Sequence, residues 1–283
     1  MICIFNPEHD LCLANGNSNY MPPESALKFA RESAGLMQIL YPEATLCLPS
    51  PLAFDSSRQF SSSANQHIIP WGWNMVLRNH LLKQGVPESC MPSVAALDAI
   101  RKLQHRSTLL PLQPQTIAAT TREEVDEMIA RYNAVVMKAP WSGSGRGLRW
   151  VTGEMSAHDI SWMQKVVRNQ DCVMVEPRRT VLHDFALEYM SDGSDLRFEG
   201  YSLFESLNGV YRRNLLVSDA EVRNLVSFPD DQRQQLESWL LQHIVPQYRG
   251  PLGVDILHTP EGCFVSEINL RHTMGLLACR KRG

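Results

Sequence analysis

The stretch GVDILHTPEGCFVSEINLR, residues 253–271, decides how this chain reads. Two apolar runs, GVDIL and CFVSEINL, flank HTPEG. Pro260 presets φ for the first central position of a turn, and Gly262 suits the left-handed position that follows. The segment therefore predicts a hairpin with a three-residue loop and a glycine bulge. That register sets Thr259 opposite Cys263 and Asp255 opposite Glu267. Residues two apart on a strand share a face, so Asn269 joins the two acids. Carboxylates directly opposite each other repel. A divalent cation offsets that repulsion, and Asp255, Glu267 and Asn269 offer hard oxygen ligands suited to magnesium or manganese. The same alternation also fits a solvent-exposed hairpin whose charges only keep it soluble.

Upstream, VVMKAPWSGSGRGLRW (135–150) sharpens the choice. An apolar strand ends in Lys138, followed by Ser142, Gly143, Ser144, Gly145, Arg146 and Gly147. Small residues let backbone N–H groups surround phosphate oxygens, and Lys138 and Arg146 add positive charge. No GK[ST] closes the loop, so it is not a Walker A loop. GxGxG in place of GxGxxG excludes the dinucleotide fingerprint. The lysine precedes the glycines, and HRD and DFG are missing, which excludes a protein kinase. Alone, the loop also reads as a plain hairpin turn. Beside a carboxylate pair able to hold metal, a nucleotide-phosphate site is the better reading.

The 283 residues, 44% hydrophobic and 20% charged, suit one large domain or two to three smaller ones. A net charge of −3 without a dense Lys/Arg run makes nucleic acid and anionic membranes poor partners. The seven cysteines are scattered with no CxxC pair, as expected for reduced thiols in a cytoplasmic protein. The start, MICIFNPEHD, turns polar too soon for a signal peptide, and no apolar run approaches membrane-spanning length. Ser50 to Gln66 is Ser-rich and reads as a loop.

Strands and helices alternate from the start: ICIF, a helix after PPES, ATLCL, then an amphipathic helix from Met75 to Gly85. This predicts an N-terminal α/β domain over residues 1–92. Helices follow at Ser93 to Arg106, after the capping-box pair Thr121 and Glu124, and at Ser156 to Asn169, with strands at Ala134 to Lys138 and Asp171 to Pro177. The last third shows strands at Asp184 to Met190, Arg197 to Ser206 and Gly209 to Val217, then a helix from Asp230 to Ile244. Helices among antiparallel hairpins argue for α+β there.

A lysine on a strand, a glycine-rich loop, a second strand ending in Glu176, then Asp255 and Glu267-Ile268-Asn269: this order resembles the ATP-grasp superfamily of carboxylate–amine or carboxylate–thiol ligases. The resemblance runs from about Ser93 to Gly275. It implies a fold in which two α+β subdomains, 93–180 and 181–283, grip ATP behind a small N-terminal α/β domain. It also implies ATP- and Mg2+- (or Mn2+-) dependent joining of a small-molecule or peptide carboxylate to an amine or similar nucleophile through an acyl phosphate. On this likeness Lys138 contacts the nucleotide, and Ser142 to Gly147 cover its phosphates. Val175 to Arg179 form the hinge, with Glu176 and Arg179 beside adenine, and Asp184 meets the ribose hydroxyls. Asp255, Glu267 and Asn269 hold metal. Arg271 matches the Glu-x-Asn-x-Arg pattern of the biotin carboxylase branch and would stabilise the acyl phosphate or its oxyanion. Arg212, Arg213 and Asn214 lie on a predicted strand, and Arg213 is assigned to phosphate or substrate.

The pattern also departs from the family's. Its second nucleotide lysine has no counterpart, and Arg101, Lys102 and Arg106 all stand as replacements. Val254 before the first metal ligand argues against the D-alanine ligase branch. The chain stops twelve residues after Arg271, which leaves little to wall the site. In the N-terminal domain, Asn6, Glu8, His9, Asp10 and Asn15 follow the first strand, where open α/β sheets bind ligands; they are candidate substrate contacts, though NPEHD also reads as a capped turn. PWGWN (70–74) reads either as core or as an aromatic wall. A small-molecule kinase and a non-catalytic ATP-binding regulator stay open as alternatives, and a homodimer is allowed. Retention of Lys138, Asp255, Glu267, Asn269 and Arg271 together favours the catalytic readings.

Overall fold

Three sheets organise the chain. The computed structural model describes residues 1–47, 67–142, 147–207 and 209–282. The expected Ser-rich loop, Leu48 of the second expected strand, and Gly143, Ser144, Gly145 and Arg146 lie outside the described residues.

The first sheet is parallel, in the order β2-β1-β3, from β1 (Ile2–Ile4), β2 (Thr45–Cys47) and β3 (Ile68–Pro70). Helices α1 (His9–Asn15), α2 (Glu24–Ser33), α3 (Met37–Leu40) and α4 (Met75–Lys83) surround it. The helix α5 (Val94–Leu103) and a 3-10 segment (Arg106–Leu112) lead to the second sheet. That sheet is antiparallel, β4-β7-β5-β6, built from β4 (Ile117–Ala119), β5 (Ala134–Lys138), β6 (Leu148–Thr152) and β7 (Val173–Pro177). Its helices α6 (Arg122–Tyr132) and α7 (Ala157–Gln170) both start with reciprocal capping boxes, Thr121 with Glu124 and Ser156 with Asp159.

The third sheet is antiparallel, β10-β9-β8-β11-β12, from β8 (His183–Ser191), β9 (Leu196–Leu207), β10 (Val210–Leu215), β11 (Gly250–Thr259) and β12 (Gly262–Asn269). Helices α8 (Asp219–Val226), α9 (Asp230–His243) and α10 (Met274–Arg282) complete it. Its inner face, with Phe185, Leu187, Val254 and Ile256, packs on Leu97 and Ile100 of α5, Val222 of α8 and Leu240 of α9. A separate core fills the second sheet, from Val125, Met128, Val135, Met137, Met163 and Val175. Leu277 of α10 instead joins Cys3, Phe5, Met37 and Trp71, tying the end of the chain to the N-terminal sheet. Trp71 of PWGWN packs in this core and also lines a cleft between the second and third sheets, so both of its readings hold in part. Among the described residues no helix is long and apolar enough to cross a membrane.

The deciding hairpin forms, with one correction. Thr259 pairs with Gly262, not Cys263, so the connection is a two-residue turn of Pro260 and Glu261. The Thr259 hydroxyl closes it, donating to the Gly262 carbonyl and accepting from the Glu261 amide. Setting Asp255 opposite Glu267 requires one extra residue on β12, and the expected place was the turn. The structure puts it between Val265 and Glu267, where the register shifts and Ser266 bulges. The bulge switches which side chains face inward. Cys263 and Val265 before it, and Ile268 and Leu270 after it, belong to the core. Ser266, Glu267 and Asn269 consequently all face the opposite side.

Candidate active site

That opposite side forms one wall of a cleft of about 930 Å3 between the second and third sheets. Lys138, at the end of β5, reaches across it. Its ammonium lies 2.6 Å from Glu176 Oε1 and donates to Ser266 Oγ at 3.2 Å. Both members of the Lys138–Glu176 pair are buried. The bulged Ser266 therefore links the two walls, a role the sequence pattern did not reveal.

Asp255, Glu267 and Asn269 lie side by side on the facing wall. Asn269 Nδ2 donates to Asp255 Oδ2 at 3.2 Å. Burial, then the neighbouring Glu267, push the Asp255 carboxyl well above the usual carboxylate range. Such a pair is short of positive charge, and two carboxylates with an adjacent amide oxygen are hard donors. The residues present therefore fit a divalent cation. Among the described residues no three His, Cys, Asp or Glu side chains cluster as a metal site, so Asn269 is needed as the third ligand.

Arginines now balance these acids. Arg106 Nη2 donates to Glu267 Oε2 at 2.6 Å, and its Nη1 to Ser142 Oγ at 2.8 Å and to the Ala139 carbonyl. Among the described residues its Nε is buried with no partner, an unusual cost for a buried donor. Arg101 instead lies 3.9 Å over the Trp141 ring and donates to the Leu13 carbonyl, and Lys102 is exposed. Of the three cations open at the sequence level, the fold brings Arg106 to the cleft. The two ends of the Gly-rich loop approach so closely that a Cβ on Gly147 would sit 2.4 Å from Ser142 Cβ.

Arg271 follows β12 on the same face. Its Nε and Nη2 donate to the two oxygens of Asp10 at 3.0 and 2.9 Å, and Nη2 also to Asn269 Oδ1 at 2.8 Å.

No protein-family model matches the chain, and comparison of its sequence with curated proteins finds no match. Solved structures do match. The N5-carboxyaminoimidazole synthetase of Staphylococcus aureus, complexed with ADP, superposes with a TM-score of 0.55 at 15% identity, over 96% of this chain and 70% of that one. A biotin carboxylase from Campylobacter jejuni, in a β,γ-ATP complex, gives 0.58 at 12% identity, over 99% and 67%. D-alanyl-alanine synthetase A of Vibrio cholerae gives 0.51 at 13%, over 97% and 89%. These are ATP-grasp enzymes. The fold is the ATP-grasp fold.

Within the ATP-grasp fold the expected residues fall into three groups. Lys138, Ser142, Glu176, Arg179, Asp184, Asp255, Glu267, Asn269 and Arg271 all line the cleft. Glu176 pairs with Lys138, and Arg179 lies 3.9 Å over Phe264 while donating to the Pro177 carbonyl. Asp184 accepts from Ser206 Oγ, and burial raises its pKa. Gly147 holds the exit of the loop whose centre is outside the described residues.

Arg213 is a correction. It is exposed and forks onto Glu205, with Nε at 2.8 Å and Nη2 at 3.0 Å from the carboxylate oxygens. The register shifts between Tyr211 and Arg213, and that irregularity brings Tyr211 and Asn214 to the cleft in its place. The N-terminal loop is also corrected. Asn6 bonds the Gly72 backbone and His9 is fully buried, while Asn15 is exposed away from the cleft. Of the five candidates there, Asp10 alone lines it.

Proposed function

We propose that this chain is an ATP- and magnesium-dependent ligase that joins a carboxylate to an amine or similar nucleophile through an acyl phosphate. The observation that carries the reading is the cleft itself. Its lining brings Lys138 and Arg106 together with Asp255, Glu267 and Asn269. The ADP and β,γ-ATP complexes of the similar structures support a nucleotide there. A cation held by the three oxygen ligands would neutralise charge on the terminal phosphates.

In this reading Lys138, Arg106 and the loop from Ser142 to Gly147 orient ATP, and Asp184 holds its ribose. A carboxylate oxygen of the acid attacks the γ-phosphorus and ADP leaves. Arg271 stabilises the negative charge on the acyl phosphate. The amine nitrogen then attacks the acyl carbon, phosphate leaves, and the amine proton passes to solvent. The halves 93–180 and 181–283 act as the two grips, with 1–92 at the acceptor end. Seven free cysteines support a reducing, cytoplasmic setting.

Thermal shift with ATP plus magnesium, ATP plus chelator, and GTP plus magnesium tests the site, with Glu267→Gln beside wild type. Ligand at about 100 times its Kd stabilises by roughly 2.7 kcal/mol, a shift of a few degrees at this size. The shift should need both ATP and metal and shrink in the variant. Phosphate release should then require an acid and an amine together. A stable phosphorylated product without phosphate release would make the protein a kinase, and no shift with any nucleotide would refute the site.

A further inference from the structure

We propose that Asp10 of the N-terminal domain is the positioning residue for Arg271, holding its guanidinium in reach of the reacting groups and off the Asp255 and Glu267 carboxylates. The inference rests on the ligase reading.

A guanidinium carries five N–H donors in a planar fork. Asp10 takes one from Nε and one from Nη2, at 3.0 and 2.9 Å. Asn269 Oδ1 takes the second Nη2 hydrogen at 2.8 Å, and the His272 carbonyl takes one from Nη1 at 3.0 Å. One Nη1 hydrogen is left for a ligand. The bidentate contact fixes the plane of the fork, and so the direction of that hydrogen. Burial of Asp10 favours the neutral acid, but the Arg271 charge and hydrogen bonds, together with His9 and Arg106, hold the carboxyl below its usual range.

The residue before Asp10 is tied down on both sides of its ring. His9 Nε2 meets Gln104 Oε1 at 3.1 Å, and its Nδ1 meets Asn74 Nδ2 at 3.2 Å. Gly72 packs on the ring so closely that a Cβ there would lie 2.5 Å from Nδ1. Gln104 ends α5, two residues before Arg106. Successive residues of α1 thus anchor to Arg271 on one side of the cleft and to the segment carrying Arg106 on the other.

The alternative partners of Arg271 show why an anchor is needed. Its charge interacts with Glu267 and Asp255 as well as with Asp10. Released from Asp10, a long cationic side chain would fall onto those carboxylates and compete with the cation for them. A substrate contact at Asp10, the sequence-level expectation, would leave Arg271 without its main partner.

The test uses the full chain, and its probes are MgADP and MgADP with aluminium fluoride, which mimics the phosphoryl group in transfer. Wild type, Asp10→Asn, Asp10→Glu, Arg271→Ala and the double variant Asp10→Asn/Arg271→Ala are compared by calorimetry. Asp10→Asn should bind MgADP within about twofold of wild type and the fluoride complex about tenfold or more weakly. Asp10→Glu should recover part of the loss. In the Arg271→Ala background the Asp10 change should cost nothing further, because the two act as one unit. Wild-type affinity of Asp10→Asn for the fluoride complex overturns the proposal. So does an additive loss in the double variant, or an equal loss for both probes, which marks a purely structural role. A wild-type protein that binds no MgADP removes the ligase reading, and this inference with it, and that outcome is visible in the wild-type arm alone.

Discussion

Replacing Gly275 with alanine should destabilise this protein, against the usual rule that Gly→Ala strengthens a helix. Gly275 lies in the first turn of α10 and is buried. A Cβ built there would stand 2.0 Å from Glu188 Oε1, 2.3 Å from Ser202 Oγ and 2.8 Å from Ser202 Cβ. None of these atoms is the loose end of a surface chain. Ser202 and Glu188 are 2% and 1% exposed, on adjacent inner strands. The Glu188 carboxylate accepts from Ser202 Oγ at 3.2 Å and from Thr273 Oγ1 at 2.7 Å. To admit the methyl, Glu188 must leave Ser202. Overpacking costs about 1–3 kcal/mol, and a buried polar group left unsatisfied about 1–3 kcal/mol more. Helix propensity returns up to about 1 kcal/mol. The net loss is about 1–6 kcal/mol, which lowers Tm by roughly 2–12 °C at about 2 °C per kcal/mol for a chain of this length. Gly35→Ala is the control, since a Cβ there meets nothing within 4 Å. Melting followed by circular dichroism reads both. A Gly275→Ala variant that melts with wild type would show that the Glu188 cradle is not as tight as drawn.

Lys138→Ala should impair the fold as well as nucleotide binding, since it strands a buried Glu176 carboxylate. A loss of about 3–5 kcal/mol in urea unfolding is expected, partly recovered in Lys138→Ala/Glu176→Gln; equal stability of the single and double variants would contradict it. Glu8 predicts a pH dependence. Burial raises its pKa from 4.5 to about 7, and among the described residues Oε2 has no partner. The folded state holds the proton more tightly, so this contribution is full below about pH 4.5 and is lost as pH rises through about 7. Over that window wild type should lose about 3 kcal/mol relative to Glu8→Gln, and parallel Tm–pH profiles for the two proteins would refute it.

What the sequence disclosed was local. The capping box at Thr121 depends on residues three apart, and the strand ending in Lys138 on five in a row. Ser218 and Glu221 carry the same box and start α8, so that helix was legible and was passed over. The hairpin shows a different limit. Its turn was misplaced, yet Asp255 still faces Glu267, because one added residue gives the same pairing whether it sits in the turn or at Ser266. Pattern alone fixes the count of residues, not the place of the bulge. Arg213 failed for the same reason, since a bulge beside Tyr211 changes which residues face inward. The choice of Arg106 over Arg101 and Lys102, and the Asp10–Arg271 contact, join residues 161 and 261 apart. No spacing rule reaches that far.

Most charges of the cleft are paired within the protein. Each cation that the ligase reading assigns to phosphate or acyl phosphate is paired with an acceptor assigned to the metal or hinge: Arg106 with Glu267, Lys138 with Glu176, and Arg271 with Asn269. Opposed carboxylates on β11 and β12 would otherwise repel across the ladder. In the ligase reading the same groups would exchange partners on binding a nucleotide and a divalent cation. Phosphate oxygens would take the arginine and lysine hydrogens, and the freed oxygens would hold the cation. Glu176 gives up its cation in that exchange, a desolvation cost that the phosphate contacts would have to offset. The fork between Asp10 and Arg271 stands outside it, because Asp10 is assigned to neither metal nor nucleotide. Arg271 can then give up Asn269 to the cation and still keep its orientation, which a side chain held by the metal ligands alone would lose.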